Sequence, residues 1–500
     1  MGTERAGIHR FLGIPFARPP VGELRFQSPV PMKPWAGVRE AKTAGPAPLQ
    51  MSVPFFRALN AGVGPQSEDC LHLNVWTPAL DGKKRPVFFW IHGGGFIVGS
   101  GSTPIYDGAT LARRGDIVVV TTNYRLGALG HVHLKGVLGD DFKDASNCGS
   151  KDQTAALQWV HDHIEAFGGD PDNVTVCGQS AGAMSIGALL AAPTARKLFK
   201  RAILQSGAAH NVMTADEAAH VAETFLDALG HVRERRSLAA VSPERIMRAQ
   251  GITNRKLMNI ASLMAMTPAI DGDFIPEHPF EAIERGALAD HELMVGTTLD
   301  EWKLFGTVES LAPAFMGEHY LRSRFMSVLD AVGADVPSAA DALHEYRSAV
   351  RARGGGTSGY AVWNAFQSAR IFHLPSMELA ERHADAGGKT YSYLFKWRPR
   401  SLRRVVGACH ALDVPFVFGL DNHVLTKTVG NLSASAPKLS KRMQDAWIGF
   451  IRNGAPVSER LPEWDAYCST HRATMLLGRQ CYVADSPLEQ ERSLLTRWLP

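Results

Sequence analysis

Ser180 is the side chain in this sequence that is best placed to act as a nucleophile. It is the centre of the pentapeptide 178–182, Gly-Gln-Ser-Ala-Gly, which follows the apolar run 174–177 and precedes the small and apolar residues 183–190. This pattern predicts a strand, a sharp turn and a buried helix, with the hydroxyl at the helix N-terminus, where free N–H groups favour negative charge. The turn strains the serine backbone, and the flanking glycines let strand and helix approach each other.

A glycine run after a second buried strand predicts where an oxyanion would be stabilised. The apolar residues 87–91 are followed at once by His-Gly-Gly-Gly-Phe at 92–96. We assign the oxyanion hole to the N–H groups of Gly94, Gly95 and Ala181, the last being the residue after the candidate nucleophile. Removing one such donor typically costs about 3–4 kcal/mol of transition-state stabilisation. Alone, the run could equally be a plain turn, but together with the serine turn it indicates acyl transfer.

The serine needs a base, and a histidine late in the chain is expected to supply it. His410 follows the predicted strand 391–395 and lies in a loop-like segment, 405–411. Most of the other late histidines sit among helical or charged residues, where a packing or surface role is common. These are His319, His344, His373, His383, His423 and His471.

The acid that orients the histidine is expected after a strand between serine and histidine. The segment 293–299 ends at two adjacent carboxylates, Asp300 and Glu301. Spacing does not choose between them. Both could instead form a solvated helix start, because Asp and Glu are favoured in the first turn of a helix.

The composition indicates an ordinary soluble globular protein. The 500 residues are 45% hydrophobic and 20% charged, with a net charge of +4, which makes no case for nucleic acid or an anionic membrane as partner. No apolar run is long enough to span a bilayer, and the first residues lack the pattern of a signal peptide. The six cysteines show no metal-binding spacing, so we expect free thiols and a cytoplasmic protein. A monomer and a homodimer both remain open.

The order of predicted elements indicates an α/β fold with a mainly parallel central sheet flanked by helices. We expect a single domain over 1–500, with helical insertions at about 210–290 and 305–385 packed over the carboxyl ends of the strands. A helix is predicted over 152–167. The predicted strands are 71–76, 87–91, 117–122, 174–177, 201–205, 291–295 and 390–395.

Several longer motifs make the chain recognisable. They are 11–17, 19–26, 67–75, 123–127, 167–171, 205–207 and 415–419. With the glycine run and the serine turn, they make the chain resemble the type-B carboxylesterase family of the α/β-hydrolase fold over nearly its whole length. The resemblance implies that Glu301 is the acid and His410 the base, and that Arg25 and Glu68 form a structural salt bridge.

The sequence departs from the family pattern at three places. The family usually has glutamate before the nucleophile, where this chain has Gln179, so a cationic choline ester is disfavoured as substrate. The segment 50–67 has Phe55 and Phe56 but no tryptophan for a cation site. Secreted relatives pair the cysteine at the position of Cys70 with an earlier one, which this chain lacks.

The predicted function is therefore that of a serine carboxylesterase, which hydrolyses a small-molecule ester through an acyl-enzyme and needs no metal or cofactor. Amide or lactone hydrolysis uses the same machinery, and a non-catalytic adhesion protein on this fold is the rival from another class. The loops near Phe96, Trp302 and Trp363 are expected to line the substrate pocket. A cluster of basic residues precedes His410. It either forms a solvated loop or borders the mouth of the pocket, where it would attract carboxylate-bearing esters. Its members are Arg398, Arg400, Arg403 and Arg404.

Overall fold

An 11-stranded sheet crosses the molecule. The structure is a computed structural model that describes residues 1–51, 63–258, 264–309, 317–336, 338–399, 406–420, 427 and 433–499. In chain order the strands are β1 (Thr3–Arg5), β2 (Ile8–Pro15), β3 (His72–Thr77), β4 (Arg85–Ile91), β5 (Val118–Thr122), β6 (Gly169–Gln179), β7 (Arg201–Gln205), β8 (Glu292–Thr298), β9 (Lys389–Phe395), β10 (Ala473–Leu477) and β11 (Tyr482–Asp485).

The spatial order of the strands is β1-β2-β3-β5-β4-β6-β7-β8-β9-β10-β11. All neighbours from β5 to β10 pair in parallel, and the antiparallel pairs lie at the two ends of the sheet. This confirms the mainly parallel sheet. The strands β1, β2, β10 and β11, which lie toward the two ends of the sheet, were not predicted.

The central strands are buried on both faces. Every residue of β4 and β5 is buried, which explains their continuous apolar and β-branched sequences. Alternate side chains of β4 enter two different core clusters: Phe89 and Ile91 pack on one face, and Phe88 and Trp90 on the other. The first face is covered by helices that include Cys148–His163 and Ala181–Ala191, and the second by Ser435–Asn453.

The two segments that the sequence marks as helical form helices within the described residues. Those at 210–290 are Ala215–Ala228, Arg235–Ala240, Pro243–Leu257 and Pro279–Glu284. Those at 305–385 are Lys303–Glu309, Glu318–Ala331, Ala339–Ala352, Gly359–Ser368 and Leu374–Asp385, with a π-helical turn at Ala369–His373. That these segments are insertions into a single domain stays a prediction. No helix in the described ranges is long and apolar enough to cross a membrane.

The remaining helices follow strands or connect them. They are Ala109–Gly115, Gly127–His131, Lys135–Leu138, Cys148–His163, Ala181–Ala191, Pro193–Arg196, Val414–Phe418, Ser435–Asn453 and Glu489–Trp498. The helix predicted over 152–167 begins earlier, at Cys148, and its last residues form a 3₁₀ turn, Ile164–Phe167.

The expected salt bridge between Arg25 and Glu68 is present and buried. Arg25 donates from Nε at 2.6 Å and from Nη2 at 2.7 Å to the two carboxylate oxygens. Its remaining terminal nitrogen donates to the carbonyls of Leu238, Ala239 and Val241. The guanidinium thus satisfies the carbonyl end of the helix Arg235–Ala240 and joins it to the N-terminal region.

Candidate active site

Ser180 lies on a strained turn between β6 and the helix Ala181–Ala191. Its backbone has φ 57° and ψ −128°, a sparsely populated conformation for any residue with a side chain. The glycines on either side permit this turn, as the pentapeptide predicts. A Cβ on Gly178 would lie 2.5 Å from the backbone of Gly182, and one on Gly182 would lie 2.1 Å from the carbonyl oxygen of Ile91.

The glycine run after β4 packs directly against this turn. A Cβ on Gly93 would lie 3.1 Å from the Ser180 Cβ. The next two glycines have positive φ, 119° at Gly94 and 61° at Gly95. Within the described residues, the N–H groups of Gly94, Gly95 and Ala181 donate to no protein acceptor. Ala181 is buried, and Gly94 and Gly95 are half-buried. Backbone N–H groups in such positions usually have a hydrogen-bond partner, so these three are candidates to bind a ligand oxygen.

The imidazole of His410 is held by Glu301. The His410 Nδ1 donates to Glu301 Oε2 at 2.5 Å, and both side chains are almost fully buried. The other carboxylate oxygen accepts from the Thr298 N–H at 2.6 Å. Burial would raise the pKa of Glu301, but His410, the Ser206 hydroxyl and the Thr298 N–H outweigh it, so the pKa lies below its usual value. Glu301 is therefore an ionised acceptor for the ring.

Asp300 points to a different partner. It accepts from Arg398 Nε at 2.7 Å, from Arg398 Nη2 at 2.9 Å and from the Ala408 N–H at 2.8 Å. Burial would raise the pKa of Asp300, but Arg398, Lys303 and the Ala408 N–H lower it below its usual value. Spacing in the sequence did not show which of the two adjacent carboxylates contacts the histidine. In the structure, Glu301 contacts the imidazole, and Asp300 binds the backbone N–H two residues before His410.

These contacts form at one edge of the sheet because the strands are parallel. The glycine run follows β4, Ser180 follows β6, Glu301 comes shortly after β8, and His410 follows β9. These strands are neighbours or near neighbours in the order β4-β6-β7-β8-β9. The carboxyl ends of parallel strands meet at the same edge, so segments far apart in the chain converge there.

Two phenylalanine rings pack against the imidazole of His410. Phe96, Trp302 and Trp363 are at most 1% exposed and belong to the hydrophobic core. The rings of Phe305 and Phe372 instead lie 5.1 and 4.7 Å from the imidazole, between centroids. That the loops near Phe96, Trp302 and Trp363 line the substrate pocket stays a prediction, and Phe305 lies in the helix that begins directly after Trp302. Of the remaining sequence candidates, several lie outside the described residues: Phe55, Phe56, Arg400, Arg403, Arg404 and His423.

A third buried carboxyl near the site, that of Asp413, was not predicted from the sequence. Asp413 Oδ2 accepts from Gln205 Nε2 and from the Tyr393 hydroxyl, each at 2.9 Å. Burial and the nearby charge of Glu301 raise the pKa of Asp413, although Gln205, Tyr393 and His410 act in the opposite direction. The available signal was its position, three residues after the candidate histidine.

The chain is similar to known proteins over nearly its whole length. The model of the carboxylesterase family matches residues 1–494. The chain belongs to the carboxylesterase family. It is 36% identical to a para-nitrobenzyl esterase of Bacillus subtilis (strain 168), over 99% of this chain and 96% of that protein. It is 35% identical to a phenmedipham hydrolase of Pseudarthrobacter oxydans, over 95% of this chain and 93% of that protein.

Solved structures agree with this assignment. A carboxylesterase of Geobacillus stearothermophilus, solved at pH 6.2, superposes with a TM-score of 0.86 at 36% identity, covering 99% of this chain and 97% of that one. The predicted α/β-hydrolase fold is confirmed, and the protein is a carboxylic ester hydrolase. Within this carboxylesterase, Gln179 stands directly before the strained serine and its side chain contacts His410.

Proposed function

We propose that this carboxylesterase hydrolyses small esters through an acyl-enzyme formed on Ser180. His410 serves as general base and then general acid, and Glu301 holds its ring and stabilises the imidazolium. The N–H groups of Gly94, Gly95 and Ala181 form the oxyanion hole. The cycle needs no metal or organic cofactor.

The chemistry proceeds in two matched steps. His410 Nε2 takes the proton of the Ser180 hydroxyl while the serine oxygen attacks the ester carbonyl, whose oxygen becomes an oxyanion. The C–O bond to the alcohol then breaks, and the imidazolium protonates the leaving oxygen. Water repeats the attack on the acyl-enzyme, which releases the acid and restores the serine.

The observation that carries this proposal is the set of N–H groups without an acceptor in the described part of the chain, one in the residue after the strained serine and two in the glycine run that packs against its turn. Gly94, Gly95 and Ala181 come from two separate segments, yet their N–H groups all lack an acceptor within the described residues. Such donors stabilise an oxyanion because they are already oriented before the charge develops. The short hydrogen bond from His410 to Glu301 orients the imidazole that serves as the base.

Replacing the nucleophile tests the proposal. We expect Ser180→Ala to lower kcat for a neutral para-nitrobenzyl ester by about a million-fold, the order found when a catalytic serine is removed. The matched control is Ser327→Ala on an exposed helix surface, which should retain full kcat. An organophosphate should label Ser180 in the wild type and nothing in Ser180→Ala. Full turnover in Ser180→Ala, or labelling elsewhere, would refute the assignment.

The substrate class is the finer part of the proposal. The resemblance to a para-nitrobenzyl esterase makes benzyl and aryl esters the first compounds to try. A preference for anionic esters stays a prediction, and Arg398 gives it little support, because its guanidinium is paired with Asp300. Turnover of matched neutral and anionic esters at low and high salt tests this preference. Matched amides and lactones show whether the machinery extends beyond esters.

We also propose the cytoplasm as the compartment of this carboxylesterase. All six cysteines are free thiols, which suits a reducing environment. The oligomeric state, monomer or homodimer, is best determined by sedimentation. The proposed partner is the small ester alone, without nucleic acid.

A further inference from the structure

The carboxamide of Gln179 lies between the base and the glycine run. Gln179 is the last residue of β6, and its side chain is buried. Its Nε2 is 3.0 Å from His410 Nε2. Its Oε1 is on the opposite side, 3.3 Å from where a Cβ on Gly93 would stand. The side chain therefore contacts the very nitrogen that must take the proton of Ser180.

The chemistry of the two nitrogens determines the protonation state of the ring. An amide nitrogen only donates hydrogen bonds, so His410 Nε2 must be the acceptor. The ring then carries its one proton on Nδ1, which donates to Glu301. Protonation of Nε2 would bring two N–H donors together at 3.0 Å. The contact with Gln179 thus favours the neutral imidazole with a lone pair at Nε2, which is the form that a general base requires.

The other groups around the ring do not duplicate this effect. Glu301 contacts Nδ1. Asp413 is hydrogen-bonded to Gln205 and Tyr393, and it acts on the imidazole electrostatically. The rings of Phe305 and Phe372, which also pack against His410, carry no charge. His373 is directed at the Thr298 carbonyl, and Cys409 precedes the histidine in its own loop. Among the described residues, the polar side chain in contact with His410 Nε2 is that of Gln179.

We infer that Gln179 is a positioning residue for the base. Its carboxamide holds His410 in the neutral, Nδ1-protonated form between turnovers, and it releases Nε2 to the Ser180 hydroxyl when an ester binds. This inference rests on the proposed role of His410 as the base.

The variant Gln179→Glu tests the inference with almost no change of shape. A carboxylate beside Nε2 favours the imidazolium, so the acid limb of the pH profile of kcat/KM should move upward by about one pH unit or more. The substrate is a neutral ester, because a charged ester would itself respond to the new charge. The control is Gln480→Glu on an exposed turn, whose acid limb should coincide with that of the wild type.

A histidine NMR measurement covers the case in which Gln179→Glu is inactive. With ¹⁵N-labelled histidine, the Nε2 resonance of His410, assigned by its loss in His410→Asn, should indicate an unprotonated acceptor at neutral pH. It should shift in Gln179→Met and stay in place in Ser180→Ala, because Gln179 is the partner in the resting enzyme.

The outcomes separate this inference from the function on which it rests. An acid limb that does not move in an active Gln179→Glu variant would overturn the inference alone. So would an Nε2 resonance that responds to Ser180→Ala and not to Gln179→Met. Turnover that survives Ser180→Ala would instead overturn the proposed function.

Discussion

Asp300 and Glu301 are adjacent in the chain, and their carboxylates bind two different parts of one loop. Glu301 accepts from the His410 ring at 2.5 Å. Asp300 accepts from the Ala408 N–H at 2.8 Å and pairs with Arg398. One carboxylate thus orients the imidazole, and the other anchors the backbone that carries it.

This division predicts different outcomes for two isosteric substitutions. Glu301→Gln should lower kcat by about 10⁴-fold with little loss of stability, because the amide no longer stabilises the required tautomer and charge of the ring. Asp300→Asn can still accept from Ala408 but loses its ion pair with Arg398, so it should mainly lower the melting temperature. Steady-state kinetics and thermal melts on both variants measure this. Equal losses of kcat would contradict the assigned roles.

The two glycines proposed for the oxyanion hole should tolerate substitution differently. A Cβ on Gly94 would lie 2.0 Å from the Val98 carbonyl oxygen, whereas a Cβ on Gly95 has nothing closer than 3.9 Å. Gly94→Ala must displace the loop, so we expect a loss of about 10²-fold or more in kcat. Gly95→Ala should cost about 1–2 kcal/mol of stability through its positive φ, with a smaller effect on kcat. The prediction fails if Gly95→Ala is the less active enzyme.

Asp413 should make stability depend on pH in a defined direction. Burial and Glu301 raise its pKa in the folded state, so its bound proton stabilises the fold. That contribution is complete below the unfolded pKa of about 4 and is lost as the pH rises through the folded pKa. Asp413→Asn is neutral at every pH and can still accept from Gln205 and Tyr393. Relative to the wild type, it should therefore become more stable as the pH rises.

Urea unfolding of the wild type and Asp413→Asn between acidic and alkaline pH measures this difference. The control is Asp172→Asn at an exposed position, for which the gap from the wild type should not grow with pH. If the stability of Asp413→Asn relative to the wild type instead rises as the pH falls, the carboxyl is stabilised as the anion and the prediction is wrong.

Local sequence explains the parts of the site whose geometry is set by neighbours in the chain. The strained turn at Ser180 needs small residues at 178 and 182, because strand and helix pass within contact distance there. The glycine run follows its strand directly, so its position beside the turn could be predicted once the two strands were expected to be parallel.

Local sequence does not explain which side chains face one another across the site. Asp300 and Glu301 have the same chemistry and adjacent positions, and their directions follow from Arg398, Ala408 and His410, which lie about a hundred residues away along the chain. For the same reason, the rings beside the imidazole could not be chosen from the sequence, since packing decides which aromatics fill the core.

Residue types and their spacing along the chain were thus sufficient for the fold class, the reaction class and the candidate nucleophile, since backbone geometry and strand order depend on short segments. Only the tertiary structure determined three features of the site. They are the contact of Gln179 with His410, the different partners of Asp300 and Glu301, and the burial of Asp413. Each depends on distances of about 3 Å between segments that share no local sequence, and a hydrogen bond exists only within such distances.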